Sequence, residues 1–146
     1  MLQQLCIGTL IISATVMTQV LFISVAMAVL NRFGPWLIHP PSMWKTVVAL
    51  IGVVLWLVAG ISVCAWIWAS VFLLLDMFEA IEPALYFSIV TFTTLGYGDI
   101  TLDTPWRLLS GLTAANGLII FGLNTAFLVE FIFRLRSAQT QQGIKK

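Results

Sequence analysis

Thr93-Thr94-Leu95-Gly96-Tyr97-Gly98-Asp99 is the run on which the reading of this chain turns. Two threonines lead into two glycines that flank one aromatic residue, and apolar segments long enough to cross a membrane lie on either side. Glycine takes positive φ without a Cβ clash, so the run can stay extended while its carbonyls turn the same way. A lone Gly-x-Gly is most often a turn. It is no dinucleotide fingerprint here, because the third glycine, the preceding strand and the later acidic residue are missing. The specificity lies in the longer run and its neighbours.

Outward from that run the chain is almost uncharged. Of 146 residues, 60% are hydrophobic and 9% charged, with mean hydropathy +1.04. A soluble domain carries about a quarter charged residues, so this composition cannot cover a water-facing surface and predicts an integral membrane protein in the lipid bilayer. Net charge is +1, with no basic patch for nucleic acid. Cys6 and Cys64 lie inside apolar stretches, where thiols act as small hydrophobes; neither a disulfide framework nor a metal site is expected. No His, Cys or carboxylate cluster has catalytic spacing, so no enzyme and no cofactor is predicted. His39 sits in a proline-rich turn and is given no role.

In order, residues 1–30 read as a first transmembrane helix, since Leu5 to Leu30 is free of charge and exceeds the ~20 residues a span needs. Ala26-Met27-Ala28 resembles a signal-peptidase site, but the basic n-region is missing and the apolar run is too long; a retained helix is expected. Residues 31–45 read as a cytoplasmic loop, broken by Gly34, Pro35, Pro40 and Pro41 and flanked by Arg32 and Lys45. Thr46 to Leu75 is a second span, with Trp44 and the Trp66/Trp68 pair at the membrane interfaces or simply facing lipid. The acidic turn Asp76, Glu79, Glu82 precedes Pro83, which suits a first helical turn. A short helix over about Pro83 to Thr93 then enters the membrane part-way. Its C-terminal end carries partial negative charge, which favours a cation below it. Trp106 to Phe133 is the last span. Arg134, Arg136, Lys145 and Lys146 place the tail, 135–146, in the cytoplasm, with its Gln-rich part after Ser137 frayed. The N-terminus and the acidic turn are then outside.

From Pro83 to Asp99 the sequence resembles the pore signature of the potassium-channel family. The resemblance implies an all-α membrane protein: three transmembrane helices, with a re-entrant pore helix and selectivity-filter loop between the last two and a pore domain over 46–134. A row of carbonyls replaces the hydration shell of K⁺. It implies that the carbonyls of Thr94, Leu95, Gly96 and Tyr97, with the Thr94 hydroxyl, are the K⁺ ligands, supported by Thr93, Gly98 and Asp99, and that the Tyr97 ring braces the filter from outside. Gly117 matches the family's hinge glycine, with close helix packing as the other reading. Leu118, Phe121 and Thr125 should face the cavity. One signature supplies a quarter of a cage, so a homotetramer is expected.

Three positions depart from the family pattern. Leu95 replaces the usual Val or Ile, Tyr86-Phe87 replaces two tryptophans, and Val90 stands where some members have glutamate. Phe87 cannot donate a hydrogen bond towards Asp99, so a thinner bracing network is expected. Glu130 is either a functional acid at the inner mouth or the partner of Arg134 four residues on. No span carries the Arg or Lys ladder of a voltage sensor. The expected function is passive, selective K⁺ permeation, the alternatives being a non-conducting or regulatory channel subunit or a weakly selective cation channel. Small size and the lack of trafficking signals point to a bacterial inner membrane.

Overall fold

In hydrocarbon a chain can satisfy every backbone amide within one segment only as a helix, and the uncharged runs fold accordingly. The computed structural model describes residues 1–38 and 43–143, without the side chains of 33–38, 135–136 and 138–143. Helix α1 spans Leu2–Ile38, α2 Met43–Leu74, α3 Ile81–Phe92 and α4 Arg107–Gly143, with a 3₁₀ turn at Thr104–Trp106 leading into α4. No β-strand occurs among the described residues. Among the described residues three segments are long and apolar enough to span a bilayer: Leu2–Arg32, Met43–Leu74 and Thr104–Arg134. At about 1.5 Å per residue each exceeds the ~30 Å hydrocarbon core, which calls for tilt. The 12 residues of α3 reach about 18 Å, too short to cross.

α3 begins where the sequence directs it. Ala80 is the extended N-cap residue, Glu82 lies in the first turn against the positive helix end, and Pro83 occupies that turn without forfeiting a bonded amide.

α1 packs along both α2 and α4, which touch each other only sparingly, while α3 packs against α2 and α4. Lipid tails are as apolar as leucine, so helices associate through close packing and hydrogen bonds rather than through exclusion of water. The main core joins Ile11 of α1, Cys64, Trp68 and Phe72 of α2, Phe87 and Phe92 of α3, and Leu109 and Ile120 of α4. Phe72 and Phe87 meet edge to face, with ring centroids 5.3 Å apart. A smaller cluster of Ala26, Leu57 and Phe127 closes the other end.

Several boundaries and placements differ from the sequence expectation. α1 runs through Gly34 and Pro35 to Ile38: one proline removes one backbone bond without ending the helix. His39, Pro40 and Pro41 lie outside the described residues, as do Lys145 and Lys146. α4 continues to Gly143 rather than fraying after Ser137, because Ala and Gln are good helix formers and no breaker intervenes before that glycine. Trp68 is neither interfacial nor lipid-facing. The four-residue step from Cys64 to Trp68 to Phe72 puts all three on the inner face of α2, fully buried, while Trp66 points out.

Candidate functional site

The run 93–99 begins as the unwinding of α3. The last turn of a helix leaves carbonyls without amide partners, and the following residues supply them. Thr93 N–H bonds Ile89 O, Thr94 N–H bonds Thr91 O, and the amides of Leu95 and Gly96 both reach Val90 O at 3.0 and 3.1 Å. The amides from Thr93 to Gly96 are therefore turned back to the helix. The carbonyls of Thr94, Leu95, Gly96 and Tyr97 accept no backbone hydrogen bond among the described residues.

The backbone alternates in hand. Thr94 has φ of 60°, Gly96 54° and Gly98 78°, whereas Leu95 and Tyr97 between them are not left-handed. In an ordinary strand successive peptide units face opposite sides; alternating the sign of φ is the condition for successive carbonyls to share one side. The two glycines take that conformation freely. Thr94 is β-branched, and its left-handed φ is a true outlier, held at a cost of order 1–3 kcal/mol. Every residue from Thr93 to Asp99 is exposed in the single chain, in a protein where apolar packing dominates.

The bracing of this run differs from the expectation. Tyr86, not Phe87, serves it: the Tyr86 hydroxyl donates to Asp99 Oδ2 at 2.7 Å. Phe87 is instead in the aromatic core. Thr93 Oγ1 donates to Ile89 O at 2.8 Å. A cavity of about 350 Å³ adjoins the loop, lined in part by Phe87, Val90, Gly96, Gly98 and Arg107. Tyr97 is 69% exposed.

α4 meets α3 tightly at Gly117. A Cβ on Gly117 would fall 1.8 Å from the Phe92 carbonyl oxygen, so only glycine lets the helix lie against the last residue of α3. This gives the close-packing reading of Gly117 a direct geometric basis. Leu118, Phe121 and Thr125 are exposed on α4; the Phe121 ring is 6.3 Å from that of Phe92, and the Thr125 hydroxyl donates to Phe121 O. Arg134 Nε donates to Glu130 Oε1 at 2.6 Å with both side chains about half exposed, the arrangement of a local surface pair.

Sequence reasoning missed a buried polar seam. Thr15 and Gln19 of α1, Trp68 of α2, and Asn116 and Asn124 of α4 are all buried and hydrogen-bonded to one another across helices. The signal was present, since amides in apolar spans must find partners and Gln19, Asn116 and Asn124 are the amides of these runs. Among the described residues no group of three His, Cys, Asp or Glu is placed to hold a metal ion.

Residues 60–134, just over half of the chain, match the family model described as ion channel. No curated protein matches the chain, and no solved structure does.

Proposed function

The chain belongs to this ion-channel family, and we propose that within it the protein is a K⁺-selective channel, four identical chains surrounding one pore. As a member of that family with three apolar helices it is a multi-pass integral membrane protein that passes ions. The observation that carries the potassium reading is the backbone of Thr94 to Gly98: φ positive at alternate residues, the amides of Thr94 to Gly96 engaged by the helix, and the carbonyls of Thr94 to Tyr97 without backbone partners among the described residues. Such a backbone, with φ alternating in sign, presents a column of oxygen dipoles on one side. A dehydrated cation is the ligand that chemistry recognises, and four such columns complete its shell.

The remaining features support the same arrangement. α3 is too short to cross and its C-terminus leads into the column, so as a re-entrant helix it directs its negative end at the ion path. Irregular backbone at membrane depth is tolerated only inside protein or beside water, yet 93–99 is exposed in one chain; copies around a fourfold axis provide that enclosure. The cavity beside the loop has room for an aromatic ring, and the exposed Tyr97 of a neighbouring copy is the ring in reach of it. Thr93, Gly98 and the Tyr86–Asp99 pair support the column; Leu118, Phe121 and Thr125 line the cavity below.

Purified protein in planar bilayers tests this. Under a KCl/NaCl gradient the reversal potential is expected close to the K⁺ equilibrium potential. A potential near zero would establish a weakly selective cation channel instead, and no current from reconstituted tetramers a non-conducting subunit.

A further inference from the structure

The matched family segment starts at residue 60 and leaves α1 out. Yet α1 supplies one partner in two of the three buried contacts that Asn116 and Asn124 of α4 make. Thr15 Oγ1 donates to Asn116 Oδ1 at 2.8 Å, and Trp68 Nε1 donates to the same oxygen at 2.9 Å. An indole N–H is a donor only, so the amide atom facing it must be the oxygen. That settles the Asn116 orientation, which an amide alone leaves open. Asn116 Oδ1 thus faces α2 on one side and α1 on the other, where the single Thr15 hydroxyl hydrogen is shared with Ile11 O of its own helix at 2.9 Å. Further along, Gln19 Nε2 donates to Asn124 Oδ1 at 2.7 Å. Gln19 occupies the space that a Cβ on Gly60 of α2 would fill, so three helices converge there. At the outer end Gln4 Nε2 bonds Pro105 O. α1 therefore follows α4 side by side and in register.

Asn116 adjoins Gly117, the residue that lies against the Phe92 carbonyl. Successive residues of a helix are about 100° apart. The rotation of α4 that turns Gly117 to Phe92 is therefore the same rotation that aims Asn116 at Trp68 and Thr15. Turned by one residue either way, α4 would bring a side chain against that carbonyl and take the Asn116 oxygen away from Trp68 and Thr15. Phe92 directly precedes Thr93 and Thr94, where the carbonyl column starts.

We propose that α1 is a clamp on gating: through Thr15 and Gln19 it fixes the rotation of α4 about its own axis, with Asn116 as the positioning residue, and so holds the inner end of the filter in its conducting form. The proposal deepens the channel reading above and rests on it.

Single-channel recording separates this role from simple helix adhesion. The variants are Thr15→Val and Gln19→Leu, alone and combined, with Thr15→Ser as the conservative rescue. Ser13→Ala is the control, because that exposed hydroxyl bonds only within its own helix, to Thr9 O. The double variant is expected to assemble to the same size with open probability altered at least fivefold, while Thr15→Ser and Ser13→Ala stay within twofold of the parent. An assembled double variant with the parent's open probability overturns the clamp. Should the double variant not assemble, Thr15→Val alone removes the α1 hydroxyl from Asn116 with little change of volume. An altered open probability in that variant supports the clamp, and an unaltered one overturns it. A parent current that is not K⁺-selective would defeat the filter reading while leaving the open-probability comparison intact, so the two failures are distinguishable.

Discussion

Thr94 is the residue at which local preference and structure disagree most. A β-branched side chain in left-handed backbone is disfavoured, and its neighbours hold it there by anchoring the Leu95 and Gly96 amides to Val90 O. Gly96 adopts the same hand without penalty. An alanine there would cost about 1–2 kcal/mol per chain, and four chains around one pore would multiply it, against 1.4 kcal/mol for each factor of ten. Gly96→Ala is therefore expected to reduce K⁺ flux into proteoliposomes at least tenfold at unchanged protein incorporation; equal flux would remove residue 96 from the filter. Tyr86→Phe deletes the donor to Asp99 and nothing else, and should shorten conducting bursts several-fold in single-channel records without lowering the amount of assembled protein. Gly117→Ala separates packing from hinge. A methyl group 1.8 Å from the Phe92 oxygen forces helices apart, an overpacking cost of about 1–3 kcal/mol, so the thermal midpoint should fall. A hinge alone predicts altered gating with normal melting.

The elements were legible because each is encoded locally. Runs without charge announced the three spans, and the acidic turn with Pro83 announced α3. Interior relationships were not legible. Trp68 reads as an interfacial aromatic until α1 and α4 are seen to enclose it, and the donor to Asp99 is found one residue before the position the pore signature suggested, because Tyr86 faces the loop and Phe87 the core. Handedness at Thr94 is likewise invisible to a rule that looks for glycine. Glu130 was legible as a pair: with Arg134 it forms a half-exposed i,i+4 contact on the last turns of α4. Such pairs are worth ~0.5 kcal/mol, so Glu130→Gln should leave melting almost unchanged and the ratio of inward to outward current in symmetrical KCl unaltered. A changed ratio would assign the carboxylate to the inner mouth.

At the scale of the molecule, the proposed pore needs more than one chain. The single chain leaves residues 93–99 and Leu118 uncovered, and the family to which it belongs is one of ion channels. Native mass spectrometry from mild detergent is expected to give a tetramer; a monomer that carries selective current would refute the shared pore. The most direct measurement is a structure of the protein crystallised in Tl⁺, a K⁺ substitute whose anomalous scattering locates it. The account predicts a file of Tl⁺ peaks on a fourfold axis, ringed by the carbonyl oxygens of Thr94, Leu95, Gly96 and Tyr97. Tl⁺ held by the carboxylates of the outer turn, with those carbonyls pointing away from the axis in a conducting channel, would contradict it.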